Sequence, residues 1–330
     1  MTIAFEARAC SILYNLLLSR GDDRPFLLPA NVCPVVPLTF RKAGRPFELI
    51  DVSGPDLAID ETRCLERIAR DPRSVSGLLF VRTYGASGDA APFFRAVKEL
   101  NEDLLVIDDR CLCRPDPDGA SRTPGADVTL WSTGYAKHVD VGFGGFAHLG
   151  EGVAYRRFEG AYSASALEEM ERGIKQALAR GIPFEGGRED WLDLSVPEVS
   201  WPAYRSGVLA ALPEIDGHKR RLNAIYEATL PPEIRLPDRF QGWRFNLLVP
   251  RPDRLVERLF GAGLFASRHY ASLGGTLGEG SFPEAEALHR RVVNLFNDRS
   301  FNEERAGRAA EVVLAHLTEV EKGSPGGLPF

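Results

Sequence analysis

Apolar and polar positions alternate in blocks along the first 110 residues. Apolar groups recur at helical spacing over 5–19 and stop at Arg20-Gly21, which predicts an opening helix. Short apolar runs at 25–29, 47–52, 77–84 and 104–109 read as strands, and the amphipathic stretches 34–42, 61–70 and 92–100 read as the helices between them. Such alternation predicts an α/β fold. Its sheet should be mixed but mostly parallel and flanked by helices, with the ligand beyond the carboxyl ends of the strands. After residue 150 the pattern turns helical, at 164–180 and 206–229. A strand at 242–249 and helices at 253–263 and 303–322 then predict a smaller C-terminal α+β unit. The expected division is a large domain over 1–215 and a small one over 216–330, since 330 residues exceed the ~250–300 at which one core stops growing. The Gly/Ser/Pro tail at 323–327 reads as disordered.

Composition narrows this picture. With 44% hydrophobic and 26% charged residues the chain has an ordinary globular make-up, and 40 Lys plus Arg against 46 Asp plus Glu give a net charge of −6. That balance disfavours nucleic acid as a partner. No apolar stretch suits a membrane span or a signal peptide, so a cytoplasmic location is expected. The five cysteines, Cys10, Cys33, Cys64, Cys111 and Cys113, are odd in number and never form C-x-x-C. They read as reduced, small core residues, with no metal site among them.

The chemistry concentrates at 130–146, a strand that breaks into a loop with Ser132 and Thr133, presents Lys137 and turns through Gly142, Gly144 and Gly145. Upstream, the strand at 104–109 ends on Asp108-Asp109. An acid at one strand end followed by a strand-borne Ser-x-x-x-x-Lys is what a pyridoxal phosphate (PLP) site requires. The lysine amine forms a Schiff base, and the carboxylate keeps the pyridine nitrogen protonated so that the ring accepts electrons. Strand alternation turns Asp108 to the opposite face, which leaves Asp109 as the partner. His138 reads as a surface or structural residue, because adjacent side chains in a loop diverge. Gly142-Phe-Gly-Gly lacks both the spacing and the following helix of a dinucleotide fingerprint.

Further motifs fall in one register: Phe26-Leu-Leu-Pro-Ala-Asn-Val-Cys-Pro34, Lys42-Ala-Gly-Arg-Pro-Phe-Glu-Leu-Ile-Asp51, Val81-Arg-Thr-Tyr-Gly85, Val106-Ile-Asp-Asp109, Ser132 five residues before Lys137, Gly144-Gly145, and His269-Tyr270. Together they resemble the DegT/DnrJ-like sugar aminotransferases, within the fold-type-I PLP-dependent transferases. The resemblance implies Lys137 as the Schiff-base lysine, Asp109 as the pyridinium partner and Ser132 as a phosphate contact. Ala7, Arg8 and Ala9 stand where the family's phosphate loop offers backbone amides at a helix N-terminus, and Leu112 stands where members carry Gln or His against the ring. His269-Tyr270 match a small-domain motif. With Arg268 they offer a cation, an imidazole and a phenol to substrate hydroxyls or an anionic group.

Besides Leu112, two departures accompany the match. The family's segment of several dozen residues ahead of the phosphate loop is short here, and its Asn-x-Arg-Met segment has no counterpart. The activity implied is transfer of an amino group from glutamate or glutamine to a keto sugar or similar polyhydroxylated carbonyl compound, by a homodimer. Elimination, racemisation or aldol cleavage of an amino acid is the alternative PLP reaction, and a noncatalytic binding module is a third reading. Lys137 disfavours the sugar-dehydratase branch, which carries histidine there.

Overall fold

The computed structural model describes residues 2–322 and is built on a seven-stranded sheet of order β1-β7-β6-β5-β4-β2-β3. Strands β2 (Phe26–Pro29), β3 (Phe47–Ile50), β4 (Gly77–Val81), β5 (Leu105–Asp109) and β6 (Val128–Ser132) run parallel. β7 (Gly145–Leu149) is antiparallel to β6, and β1 (Thr2–Glu6) is antiparallel to β7. Residues of the central strands are apolar on both faces and divide by the period of two. Leu79, Leu105 and Ile107 pack towards helices α1 (Ala9–Arg20) and α2 (Val35–Lys42), whereas Leu78, Phe80 and Val106 pack towards α3 (Glu61–Arg70) and α4 (Ala91–Leu100). α3 begins where Asp60 accepts the Arg63 N–H at 3.0 Å, a cap that contributes about 1 kcal/mol.

Several expectations shift. Residues 5 and 6, read as the start of the opening helix, belong to β1, because Phe5 and Glu6 pair with Phe146 and Gly145 and the helix starts only at Ala9. The strand expected over 77–84 stops at Val81, and Thr83–Gly85 form a single 3-10 turn around Tyr84, whose φ is 55°. The strand expected from 242 is β8 (Phe245–Leu248), and the helix expected from 206 is α6 (Trp201–Thr229). α5 (Ala164–Arg180) and α9 (Glu303–Lys322) lie where the periodicity put them. The tail 323–327 lies outside the described residues.

The C-terminal part adds α7 (Pro252–Gly261), β9 (Ala266–Ser267), α8 (Pro283–His289) and β10 (Val292–Leu295), the last three of which the pattern did not announce. β8, β10 and β9 form an antiparallel sheet, and its core of Phe245, Leu247, Val293 and Leu295 is covered by Leu222 and Tyr226 of α6 and by α7 and α9. The division expected at 215/216 falls inside α6. Several ties join this sheet's surroundings to the larger one. Asp51 accepts the Glu284 and Ala285 N–H groups at 3.1 and 3.0 Å, and Tyr84 stacks on Trp243 with ring centroids 6.4 Å apart. No described helix is long and apolar enough to cross a membrane.

Candidate active site

Strand register assembles the candidate residues. Asp109 ends β5 opposite Leu130 of β6, two residues before Ser132, and Ser132 lies opposite Gly145, which lies opposite Glu6. The β1–α1 junction of Ala7, Arg8 and Ala9 therefore sits level with Ser132. Gly145 makes that approach possible. A Cβ built there would stand 2.3 Å from the Ala9 nitrogen and 2.4 Å from its Cα, so backbone would have to move. Gly145→Ala is expected to cost about 3 kcal/mol or more, at or beyond the usual upper end of overpacking. Thermal denaturation reads it directly, and an unchanged Tm would show that the junction yields.

A cavity of about 270 Å³ opens at these strand ends, and Arg8, Ala9, Asp109, Leu112, Ser132 and Lys137 line it together with Tyr270. At one end the Arg8 guanidinium and the Ser132 hydroxyl both come within 3.8 Å of the position a Gly134 Cβ would take. The first-turn N–H groups of α1 add partial positive charge there. Arg8 is its N-cap, in extended conformation and without a side-chain cap bond. Ser132 is buried, and among the described residues its oxygen accepts only a long 3.5 Å contact from the Gly134 N–H. This end suits an anion.

Asp109 faces the same cavity and is buried. Burial raises its carboxyl, while the thiol and N–H of Cys111 and the charge of Lys137 pull the other way; Cys111 N–H reaches Oδ1 at 2.9 Å. Asp108 points to the other face and is fully committed. Arg82 (2.8 and 3.1 Å), Arg110 (2.8 Å) and Thr123 (2.8 Å) all bond it, and although burial raises its carboxyl the two arginines bring it below the usual value. Alternation along β5 thus separates a structural aspartate from one that faces the cavity.

Lys137 is half-buried in the loop after β6, its N–H on the Gly134 carbonyl at 3.3 Å. Its charge acts on Asp109, Cys10, Cys33 and Cys111. These three thiols were read as core residues, yet all line the cavity, and burial pushes Cys10 up to about 11. His138 turns away from the cavity, its Nε2 on Asp216 Oδ1 at 2.9 Å.

The other expected substrate residues separate. Tyr270 lines the cavity, whereas Ala7, Arg268 and His269 stand outside that lining. The Arg268 guanidinium is bonded to Asp253 and to the His289 carbonyl. Burial, Arg244 and Lys137 lower the His269 imidazole to about 4, so it is neutral at pH 7. Sequence reasoning passed over Tyr162, Leu167, Trp191 and Leu192, which close the side of the cavity near α5. Of these only Leu167 lies on α5, whose apolar spacing hinted at it.

No family model matches the sequence, and no curated protein matches it. Solved structures do. A DegT DnrJ EryC1 StrS aminotransferase from Brucella abortus is similar with a TM-score of 0.66 at 15% identity, over 96% of this chain and 86% of that one. Sugar aminotransferase CalS13 from Micromonospora echinospora gives 0.67 at 18% identity, over 95% and 87%. GDP-4-keto-6-deoxy-D-mannose-3-dehydratase of E. coli, solved with hydrated PLP, gives 0.62 at 14% identity, over 94% and 87%. At such identities the likeness speaks for architecture. The chain has the fold of the fold-type-I PLP-dependent aminotransferases, with a DegT/DnrJ/EryC1/StrS aminotransferase among the solved structures it resembles.

Proposed function

We propose that the chain is a PLP-dependent aminotransferase that takes an amino group from glutamate or glutamine and delivers it to a keto sugar or a similar polyhydroxylated carbonyl compound. The observation that carries this reading is one cavity lined together by an anion cradle (Arg8, Ser132 and the α1 N-terminus), a buried carboxylate (Asp109) and an amine (Lys137). A phosphate, a ring nitrogen and an aldehyde are the three groups of PLP, so the donor set fits it. PLP, when bound, withdraws electrons from the amino-bearing carbon so that its proton can be removed.

The chain's residues divide the remaining work. Lys137 would hold the cofactor at its aldehyde and, as a free amine, would move the proton of the amino-bearing carbon. Asp109, oriented by the Cys111 N–H, would hold a proton on the ring nitrogen. Leu112, buried in the cavity wall, would offer the ring an apolar contact, and Tyr270 brings a phenol whose pKa burial raises well above its ordinary value, so that it would donate. Val32, Leu130 and Leu192 keep water from the cavity walls.

The test is direct. After loading with PLP, borohydride should leave the cofactor attached to the peptide containing Lys137. Glutamate should bleach the visible band and a keto sugar should restore it. An adduct on another lysine sinks the site assignment. Elimination or racemisation of another amino acid, without the glutamate half-reaction, replaces the aminotransferase by the alternative PLP chemistry. The proposal includes a two-domain division near residue 215, a cytoplasmic location, in keeping with five free cysteines, and a homodimer. Tyr135 is 80% and Tyr162 40% exposed, and both line the cavity, so a second subunit covering the mouth would bury them. Light scattering decides the last point.

A further inference from the structure

The long helix α6 reaches both neighbours of Lys137 in the chain. On one side, buried His138 places Nε2 2.9 Å from Asp216 Oδ1, and the other oxygen of Asp216 accepts the Arg114 Nε–H at 2.8 Å. Arg114 lies five residues beyond Asp109, so one carboxylate joins the loop that carries Lys137 to the segment that leaves Asp109. Burial would raise the Asp216 carboxyl, but the His138 and Arg114 hydrogen bonds outweigh it and hold it at about 2. It is an anion at any pH of interest.

On the other side, the Ala136 carbonyl accepts the Trp243 Nε1–H at 2.6 Å. The Trp243 carbonyl in turn accepts from Lys219 Nζ at 2.6 Å, and Lys219, buried one turn after Asp216 on α6, also donates to Asn297 at 2.9 Å. Ala136 has a φ of 58°. For a non-glycine residue that conformation is unfavourable and persists only where its surroundings hold it. Here they do, through Trp243 at its carbonyl and Asp140 at its N–H, 2.8 Å away.

We propose that Asp216 is a positioning residue, which through His138 and Arg114 holds the Lys137 loop in register with the Asp109 segment, while Lys219 and Trp243 hold the same loop from its other flank. The Arg114 arm alone would contribute little, since Arg114 is half-exposed and exposed pairs are weak; the tie rests on buried His138. His138 is buried and its second ring nitrogen has no partner among the described residues, and replacing the Asp216 carboxylate by an amide leaves one oxygen to serve two donors, the His138 Nε2–H and the Arg114 Nε–H. The proposal rests on the reading of Lys137 as the cofactor-binding amine, but its test does not.

Asp216→Asn, with His138→Gln as the second variant should the first not fold, is compared with Arg205→Ala, which removes an exposed α6 ion pair to Asp118. Reductive methylation of the cofactor-free protein is followed by peptide mass spectrometry, with exposed Lys175 as internal reference. The Lys137-to-Lys175 labelling ratio should change by more than about twofold in Asp216→Asn and stay constant in Arg205→Ala. In the loaded enzyme kcat should fall about 10-fold with KM for glutamate little changed, the signature of a displaced reacting group. A labelling ratio equal to the parent's, with a lowered Tm alone, overturns the proposal. Loading that fails in the parent overturns the cofactor reading and leaves the labelling result to judge the clamp.

Discussion

Lys137→Ala is expected to bind PLP without covalent attachment and to lose turnover by about 10⁴-fold, the upper end of what a positioned acid–base group contributes. The loss should be chemical rather than structural. Lys137 is half-buried and makes no side-chain hydrogen bond or ion pair with a described residue, so its truncation should change stability by no more than about 0.5 kcal/mol, as for other positions without buried partners. No other lysine lines the cavity among the described residues, which leaves no nearby amine to substitute. The check is the visible spectrum and borohydride mass spectrometry of the loaded variant beside its melting curve. A variant that still forms a borohydride-stable adduct and turns over would remove Lys137 from the chemistry.

The parts of this molecule legible in the sequence are those decided locally. The helices at 61–70 and 303–322 announce themselves because their apolar residues recur with the helical period. Asp109 and Lys137 stand out because each follows a short apolar strand, where an α/β sheet presents its ligand-binding residues. What escaped was decided by distant partners. β1 looks like the start of a helix until β7, some 140 residues later, pairs with it, and β7 itself hides in a glycine-rich loop. Arg268 offers a cation to substrate on paper, yet Asp253 on α7 takes it, and no spacing along the chain foretells that pairing. The thiols of Cys10, Cys33 and Cys111 meet only because β1, β2 and β5 end at one level of the sheet. Trp243, whose indole holds the Ala136 carbonyl, carried no motif at all.

Neighbouring aspartates on β5 give the second large effect, and the two should respond oppositely. Asp108→Asn leaves Arg82, which is only 4% exposed, without its bonded charge, a change expected to cost about 3–5 kcal/mol. Its carboxyl is held below the usual value, so the stability it contributes is present above the unfolded carboxyl pKa, ~3.9, and is lost as pH falls towards the folded one. Asp109 has the reverse sign. Burial raises its carboxyl, so the folded, cofactor-free protein carries a penalty above that folded pKa. Asp109→Asn removes the charge and keeps an oxygen for the Cys111 N–H, so its Tm should exceed the parent's near pH 7. The difference should vanish as pH falls to ~3.9, below which the parent's Asp109 is protonated in both states. The same substitution should lower kcat by about 10²–10³-fold, the range seen when one preorganised electrostatic group is lost. Asn cannot hold a proton on the ring nitrogen. Stabilisation together with inactivation is the expected result, since a buried charge kept for function costs stability. Thermal melts of the cofactor-free variants across pH, beside single-turnover rates with glutamate, measure both effects. A fully active Asp109→Asn would move the pyridinium role to another carboxylate.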